Sequence, residues 1–307
     1  MTDFSLRTTP TWLDGIYLAL VGVPDLWVVL DAGRCVAELM VESGLESHAW
    51  RQRLMRMDGE DRLFVTDAGP SRLDTGGSAR MLDRLADLAS RRRPGAVLVS
   101  EMTPSRIAGE DLDALAAAVS KATGAPARPI EHLSLTRDWL DAIGAALVAL
   151  ARALPDAACT GDRDTVGVIG HLFDRDEADC RADVRELTRL VESLGVEVSS
   201  VWTAGEPVAR LASAGASRHL LALPYGGTAA RAVAARSGAR VLDVPLPVGL
   251  EGTTAWLRSV GAWLGRDAEA GRAAEEGLRE VVPPIGPLVP RAIAGRRIGV
   301  VSDPALA

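Results

Sequence analysis

Short apolar runs separated by helix-length segments recur along this chain of 307 residues. Four of the runs are LWVVLD (Leu26–Asp31), AVLVS (96–100), TVGVIG (165–170) and HLLALP (219–224), and each has the continuous hydrophobicity of a strand buried on both faces. Amphipathic helix patterns lie between the runs, as in residues 176–194. This alternation predicts parallel βαβ units with right-handed crossovers. We therefore predict an α/β protein of repeated Rossmann-like domains, with parallel sheets flanked by helices.

A polar break divides this pattern into two series. Residues 155–164 carry one proline, one glycine and three aspartates, a composition typical of a domain boundary. We predict a first α/β domain over residues 1–158 and a Rossmann-like second domain over residues 159–270. Residues 271–307 are predicted to form a linker helix that breaks at Pro283 and Pro284, followed by the first strand of a truncated third domain, GRRIGVVSDP (295–304).

Composition excludes several classes of protein. A net charge of −7 argues against a nucleic-acid binder, and the 48% hydrophobic content excludes a disordered chain. Neither a signal peptide nor an apolar run of transmembrane length is visible, so no membrane association is expected. The three cysteines, Cys35, Cys159 and Cys180, are far apart and cannot all pair. Their usage favours a reducing, cytoplasmic location.

Cys35 is the first candidate for chemistry. It follows a predicted strand and a glycine-containing turn, and a predicted helix begins at this residue. A thiol at a helix N-terminus has a lowered pKa and makes a good metal ligand or nucleophile. The alternative, a half-buried structural cysteine, is the commoner fate of a lone cysteine.

Two further candidates lie where predicted strands end. His171 follows a strand at the edge where open α/β sheets bind ligands, although most such histidines are loop residues with no role. The stretch Pro224-Tyr225-Gly226-Gly227 joins a strand to a helix, so its backbone N–H groups could hold an anion. A tight structural turn is the alternative. No GxGxxG, P-loop, GxSxG or HExxH motif occurs.

Several stretches, taken in order, resemble the nitrogenase component 1 family. That family includes the nitrogenase molybdenum–iron protein subunits, the cofactor-assembly scaffold subunits and the catalytic subunits of dark-operative protochlorophyllide reductase. Residues 14–35, ending in VVLDAGRC, resemble its opening helix, strand and cysteine loop. The other matching stretches are residues 64–77, 100–112, 165–205, VPLPVGLEGTTAWLRSVGAWLG (244–265) and 295–304.

The resemblance implies where cofactor ligands would lie. It places Cys35 at a cluster-ligand position, with Phe64 and Met102 where the family has its second and third cysteines. A thioether is a poor substitute for a thiolate at a cubane iron, and phenylalanine is none. A complete site would need a partner subunit or oxygen ligands such as Asp31 or Asp67. Pro224 falls roughly where the α-type subunit has its cofactor-binding cysteine.

Two functions follow from the resemblance. The first is a nitrogenase-like oxidoreductase subunit that takes electrons from an ATP-dependent iron protein through an iron–sulfur cluster shared with a second component-1-like subunit, in a homo- or hetero-oligomer. The alternative is a non-catalytic scaffold or binding subunit that has lost the cluster and holds a tetrapyrrole or metallocofactor. A Rossmann dehydrogenase is disfavoured because its glycine fingerprint is absent.

Overall fold

The computed structural model describes residues 12–33, 62–66, 76–107, 109, 111–131, 139–155, 164–172 and 180–297. Two four-stranded sheets, both entirely parallel, dominate these residues. Each sheet has its first strand in the second position, flanked by the second strand on one side and the third on the other. The predicted α/β class with parallel sheets flanked by helices is therefore confirmed.

Among its described residues, the first unit contains four strands and five helices. Its sheet order is β2-β1-β3-β4. The elements are α1 (Trp12–Leu20), β1 (Leu26–Asp31), β2 (Leu63–Val65), α2 (Gly76–Arg91), β3 (Ala96–Glu101), α3 (Thr103–Ile107), α4 (Leu112–Thr123), β4 (Ala127–Pro129) and α5 (Trp139–Ala153).

The second unit repeats this topology with the order β6-β5-β7-β8. Its elements are β5 (Thr165–Ile169), α6 (Cys180–Glu192), β6 (Glu197–Val201), α7 (Val208–Leu211) with a 3₁₀ turn (Ala212–Ala216), β7 (His219–Ala222), α8 (Gly227–Ser237), β8 (Arg240–Asp243) and α9 (Gly249–Leu264). Two more helices follow, α10 (Asp267–Ile285) and α11 (Val289–Ala292).

The predicted linker helix differs from the structure at its end. We expected a break at Pro283 and Pro284, but α10 runs through both residues to Ile285. Proline has a helical φ, and what it removes is one backbone N–H donor. Here that loss falls in the last, exposed turn, and the Gly286 N–H still donates to the Val282 carbonyl at 2.8 Å. Most of the predicted strand at 295–304 lies outside the described residues.

Alternate residues of β1 face two different hydrophobic cores. Leu26, Val28 and Leu30 point toward α1 and α5, whereas Trp27 and Val29 point toward α2 and α4. The second sheet is likewise covered on both faces, by α8 on one side and by α6, α9 and α10 on the other. Successive side chains of a strand point to opposite faces of the sheet, so the apolar side chains divide between two cores. We call the core on the side of α1, α5 and α8 the inner core, and those on the opposite faces of the two sheets the outer cores.

The inner helices form one layer that both sheets share. Residues from α1, α5 and α8 belong to a single buried cluster that also contains side chains of both sheets. Helix α5 packs on α1 and on α8. Gly15 makes the α1–α5 approach possible, because a Cβ there would overlap the Trp139 carbonyl oxygen and lie 2.7 Å from the Ala142 Cβ.

Hydrogen bonds also join the two units. The Val208 N–H donates to Asp25 Oδ1 at 2.8 Å, and the Gly205 N–H donates to the Gly22 carbonyl at 2.7 Å. At the far end of α5 the Arg236 guanidinium donates to the carbonyls of Ala151 and Leu154. A cation at a helix C-terminus satisfies carbonyls that have no partner within the helix and complements the helix dipole.

We expect Gly15→Ala to destabilise the protein by about 1–3 kcal/mol, the usual cost of overpacking a core, because the added methyl overlaps α5. Gly277→Ala in α10 is the control, since a Cβ there has no atom within 4 Å and should stabilise the helix by up to about 1 kcal/mol. Urea unfolding of both variants provides the measurement. Equal stability of the two variants would show that the α1–α5 approach is not tight.

Candidate functional site

A cavity of about 850 Å³ lies between the two units. One wall is a face of α5, with residues at the three- and four-residue spacing of a helix: Leu140, Asp141, Gly144, Ala145, Val148, Ala149 and Arg152. The opposite face of α5 carries Ile143 and Leu147, which are buried in the shared core. The same helix therefore holds the units together and forms a wall of the cavity.

The second unit provides the other wall at the carboxyl ends of β7 and β8. It consists of Ala222, Leu223, Pro224, Tyr225, Gly227, Thr228, Arg231, Asp243, Val244 and Pro245. This edge of a parallel sheet is where open α/β folds bind their ligands. Small residues on both walls, such as Gly144, Ala145 and Gly227, leave the space open. Concave, largely apolar sites of roughly 300–1,000 Å³ are typical of cofactor and small-molecule binding.

Two ion pairs lie among the residues that line the cavity. Arg152 Nη1 is 2.7 Å from Glu131 Oε1, and Arg231 Nη1 is 2.8 Å and 3.1 Å from the two carboxylate oxygens of Asp243. All four side chains are more than half exposed. Exposed pairs of this kind contribute only about 0–1 kcal/mol, so either arginine can exchange its carboxylate partner for an acidic ligand at little cost.

The stretch predicted to approach a ligand forms part of this cavity. Pro224, Tyr225 and Gly227 line it, and Gly226 lies directly behind them. A Cβ on Gly226 would overlap the Ile169 carbonyl oxygen and approach the Gly170 nitrogen at 2.7 Å. The loop is therefore seated firmly on the end of β5. A role of these residues in binding a cofactor stays a prediction.

Tyr225 adds an aromatic surface to the cavity. Its ring lies 6.4 Å from the ring of Trp139, between centroids, with the planes inclined by 41°. Tyr225 is half-buried, and so is Trp139 at the start of α5. The pair therefore forms an aromatic contact between the two units beside the cavity.

Residues that the family resemblance places near a cluster lie at the carboxyl edge of the first sheet. Asp31 ends β1 and Glu101 ends β3, in register with each other, and their exposed fractions are 4% and 1%. Thr66 Oγ1 donates to Asp31 Oδ1 at 2.7 Å, and Arg106 Nη1 is 3.2 Å from Glu101 Oε1. Two buried carboxyl groups thus occupy neighbouring strand ends.

Phe64 and Met102 differ from each other in their surroundings. Phe64 is 4% exposed and packs in the outer core, with its ring centroid 5.1 Å from that of Trp27. Met102 follows β3, donates its N–H to the Asp31 carbonyl and is half-buried against the shared core. Phe64 is therefore a core residue, whereas Met102 borders the sheet edge.

The described residues at this edge do not fit an iron–sulfur cluster. They supply carboxylates and a thioether, whereas cubane irons are held by cysteine thiolates. Among the residues that the structure describes, no group of three or more histidine, cysteine, aspartate or glutamate side chains is arranged to hold a metal ion. Cys35, Cys159 and Asp67 lie outside the described residues.

The histidines occupy other positions. His171 follows β5 and is buried, but it does not line the cavity. His219 opens β7 and is also buried. Its ring meets the ring of Trp263 edge-on at 5.0 Å, and the Arg240 guanidinium lies 5.0 Å above the same indole. Burial lowers the pKa of His219, Arg218 and Arg240 lower it further, and Asp164 opposes them.

Sequence reasoning missed the charged residues of the cavity. Arg152, Glu131, Arg231 and Asp243 come from four separate segments, and only the tertiary fold brings them into two pairs. The one signal available was the run Gly144-Ala145-Ala146, three small residues in an otherwise apolar segment.

Two parallel sheets with a shared helix layer and a cavity between them define a protein made of paired Rossmann-like units. The chain belongs to the nitrogenase component 1 type oxidoreductases, because the sequence model of that family matches residues 22–307. The family resemblance proposed from the sequence motifs is confirmed.

Curated relatives narrow the similarity within the family. The chain is 32% identical over 190 residues to the light-independent protochlorophyllide reductase subunit N of Rhodospirillum rubrum. It is 29% identical over 190 residues to the subunit of the same name from Acidiphilium rubrum. The matches cover 61% of this chain and 41% and 42% of the two relatives. The chain thus spans less than half the length of these relatives.

Solved structures support the fold alone. Structures titled nitrogenase Cp1 at pH 5 and at pH 6.5 superpose with TM-scores of 0.67 and 0.69 at 16% identity. The superpositions cover 91% and 92% of this chain, and they cover 56% and 54% of the two nitrogenase chains. In the described parts of the chain, no helix has both the length and the hydrophobicity to cross a membrane.

We expect the stability of the protein to fall as the pH drops below about 6.5, the ordinary pKa of histidine. Because the folded state lowers the pKa of His219, the unfolded chain binds a proton more readily in this range, and protonation favours unfolding. His219→Gln should flatten the dependence of the unfolding free energy on pH between 7.5 and 5.5, measured by urea denaturation. An unchanged slope in the variant would contradict the assignment.

Proposed function

We propose that this chain is the ligand-holding subunit of a cytoplasmic, nitrogenase-like oxidoreductase complex. The observation that carries the proposal is the cavity between the units, which lies at the carboxyl ends of β7 and β8 and is lined by Pro224, Tyr225 and Gly227. Family membership supports an oxidoreductase-type subunit. The curated relatives are named as subunits of a protochlorophyllide reductase, so a tetrapyrrole is our first candidate ligand.

The lining suits a large, flat, apolar molecule that carries an acidic group. Leu140, Val148, Leu223 and Val244 provide apolar walls, and Tyr225 provides an aromatic face. Arg231 can reach an acidic substituent by exchanging its weakly bound carboxylate partner. The N-terminus of α8 also lies at the cavity, where its dipole favours a negative charge.

A metal-ligated cofactor fits this cavity less well than an organic one. The lining residues that the structure describes include no cysteine, histidine or methionine, and the family resemblance places Pro224 roughly where the α-type subunit has its ligand cysteine. The lining carboxylates Glu131 and Asp243 are paired with arginines. A metallocofactor would have to bring its own complete ligand set, so we favour a tetrapyrrole over a metallocofactor.

Electron transfer through an iron–sulfur cluster is the second candidate function. Because β1, β2 and β3 are parallel neighbours, their carboxyl ends lie at one edge of the first sheet. Cys35 follows Asp31, the last residue of β1, by only four residues, which favours a cluster ligand at this edge. The described residues supply no thiolate there, so the remaining thiolates would come from a second component-1-like subunit. An ATP-dependent iron protein would be the transient electron donor.

We expect Ala145→Phe to weaken binding of protoporphyrin IX by about tenfold or more, equivalent to about 1.4 kcal/mol, because the new ring fills the cavity from the α5 wall. Absorbance and fluorescence titration of the purified chain give the affinity. Ala114→Phe on the exposed face of α4 is the matched control and should bind as the unaltered chain does. Equal affinity in both variants would place the ligand elsewhere.

The cluster proposal is tested by iron and sulfide assay after anaerobic purification with the partner subunit. We expect Cys35→Ala to abolish the bound iron, whereas Cys159→Ala and Cys180→Ala should retain it. A colourless, iron-free complex from the unaltered chain would reject the cluster, and it would leave the proposal for the cavity intact.

A further inference from the structure

Helix α10, helix α11 and the residues that flank α11 expose several large apolar side chains. Six are clearly exposed: Leu278, Val281, Val282, Leu288, Val289 and Ile293. Leu288 has 57% of its surface exposed. Among the other described residues, only Ile107, Val248 and Leu250 are large hydrophobics exposed to this degree. A concentration of apolar surface in one segment marks an interaction site, whereas single exposed side chains are ordinary.

These side chains continue a face that is already buried. Ala270 and Ala274 of α10 pack in the core against α9, and Leu278, Val281 and Val282 follow at the three- and four-residue spacing of the same helix. We name the exposed residues Leu278, Val281, Val282, Leu288, Val289 and Ile293 the apolar stripe. The α10 part of the stripe is thus an extension of a packed helix face.

Charge is segregated along the same segment. Residues 267–282 contain five carboxylates and two arginines, a net charge of −3, whereas residues 283–297 contain three arginines and no carboxylate. In the acidic half, Arg272 and Arg279 pair with Glu269 and Glu275 within the helix. All three arginines of the basic half are exposed. The segment is therefore acidic at one end of the stripe and basic at the other.

We propose that the apolar stripe is an interface between two copies of this chain, packed antiparallel about a two-fold axis. In that arrangement the acidic half of one copy lies along the basic half of the other, and the stripe residues of the two copies meet between them. A two-fold interface uses the same surface on both copies and must be self-complementary. The opposite charges at the two ends of the stripe provide that complementarity and disfavour the parallel arrangement.

The first test is the mass of the purified chain by sedimentation equilibrium at micromolar concentration. We expect a dimer, and we expect Leu288→Glu to lower the association constant by at least about tenfold, since it places a charge within the contact. Ile107→Glu is the matched control, because Ile107 is 78% exposed on the other unit and should leave the mass unchanged. A monomeric unaltered chain would overturn the proposal.

Charge reversal tests whether the opposite charges of the two halves hold the copies together. Glu275→Arg with Glu276→Arg makes both halves basic, and Arg296→Glu with Arg297→Glu makes both halves acidic. We expect each reversed chain to be monomeric alone and an equimolar mixture of the two to form a heterodimer. Reversed chains that self-associate like the unaltered protein would overturn the arrangement, as would a mixture that stays monomeric. Circular dichroism checks that each variant is folded.

These outcomes do not depend on the proposed function. Dimerisation is measured without any ligand or iron, and none of the altered residues lines the cavity. A failure of the dimer leaves the porphyrin titration unaffected, and a failure of the titration leaves the dimer unaffected.

Discussion

The packing of α5 between two partners is the constraint on which the rest of the structure depends. Helix α5 packs against α1 at Gly15 and against α8 of the second unit. Because the inner faces of both sheets are apolar, each needs a helix layer to exclude water. One layer serves both sheets, and its shared core determines how closely the carboxyl edge of the second sheet approaches the first unit. The cavity occupies the space that this spacing leaves.

The regular elements could be predicted from local patterns because their periodicity survives in the sequence. The strand at Leu26–Asp31 is a continuous apolar run, and the structure forms it with the predicted bounds. β4 was not predicted, because its three residues include Arg128 and Pro129 and so lack the apolar pattern of a buried strand. Proline is tolerated here because β4 is an edge strand. The start of α9 at Gly249 has no clear local signal, because Pro245 and Pro247 favour a longer extended segment.

The candidate site was only partly predictable, for a different physical reason. The Pro224–Gly227 stretch could be found because a strand followed by glycines and a helix has a local signature. The pairs Arg152–Glu131 and Arg231–Asp243 could not, since charged residues on loops and helix surfaces carry no information about which distant segment they will face. The core position of Phe64, beside Trp27, also depends on the tertiary packing. A family motif alone does not show whether a residue at an expected ligand position, such as Phe64, faces the site or packs in the core.

The shared helix layer also affects how a ligand could reach the cavity. Many two-domain proteins admit ligands by rotating one domain away from the other about a hinge. Here one face of α5 forms the wall of the cavity while the opposite face is embedded in the core between the sheets, so separating the units would expose Ile143 and Leu147 to water. The exposed arginines among the lining residues can move without disturbing that core. Access therefore depends on side-chain motion at the mouth of a cavity whose walls stay in place.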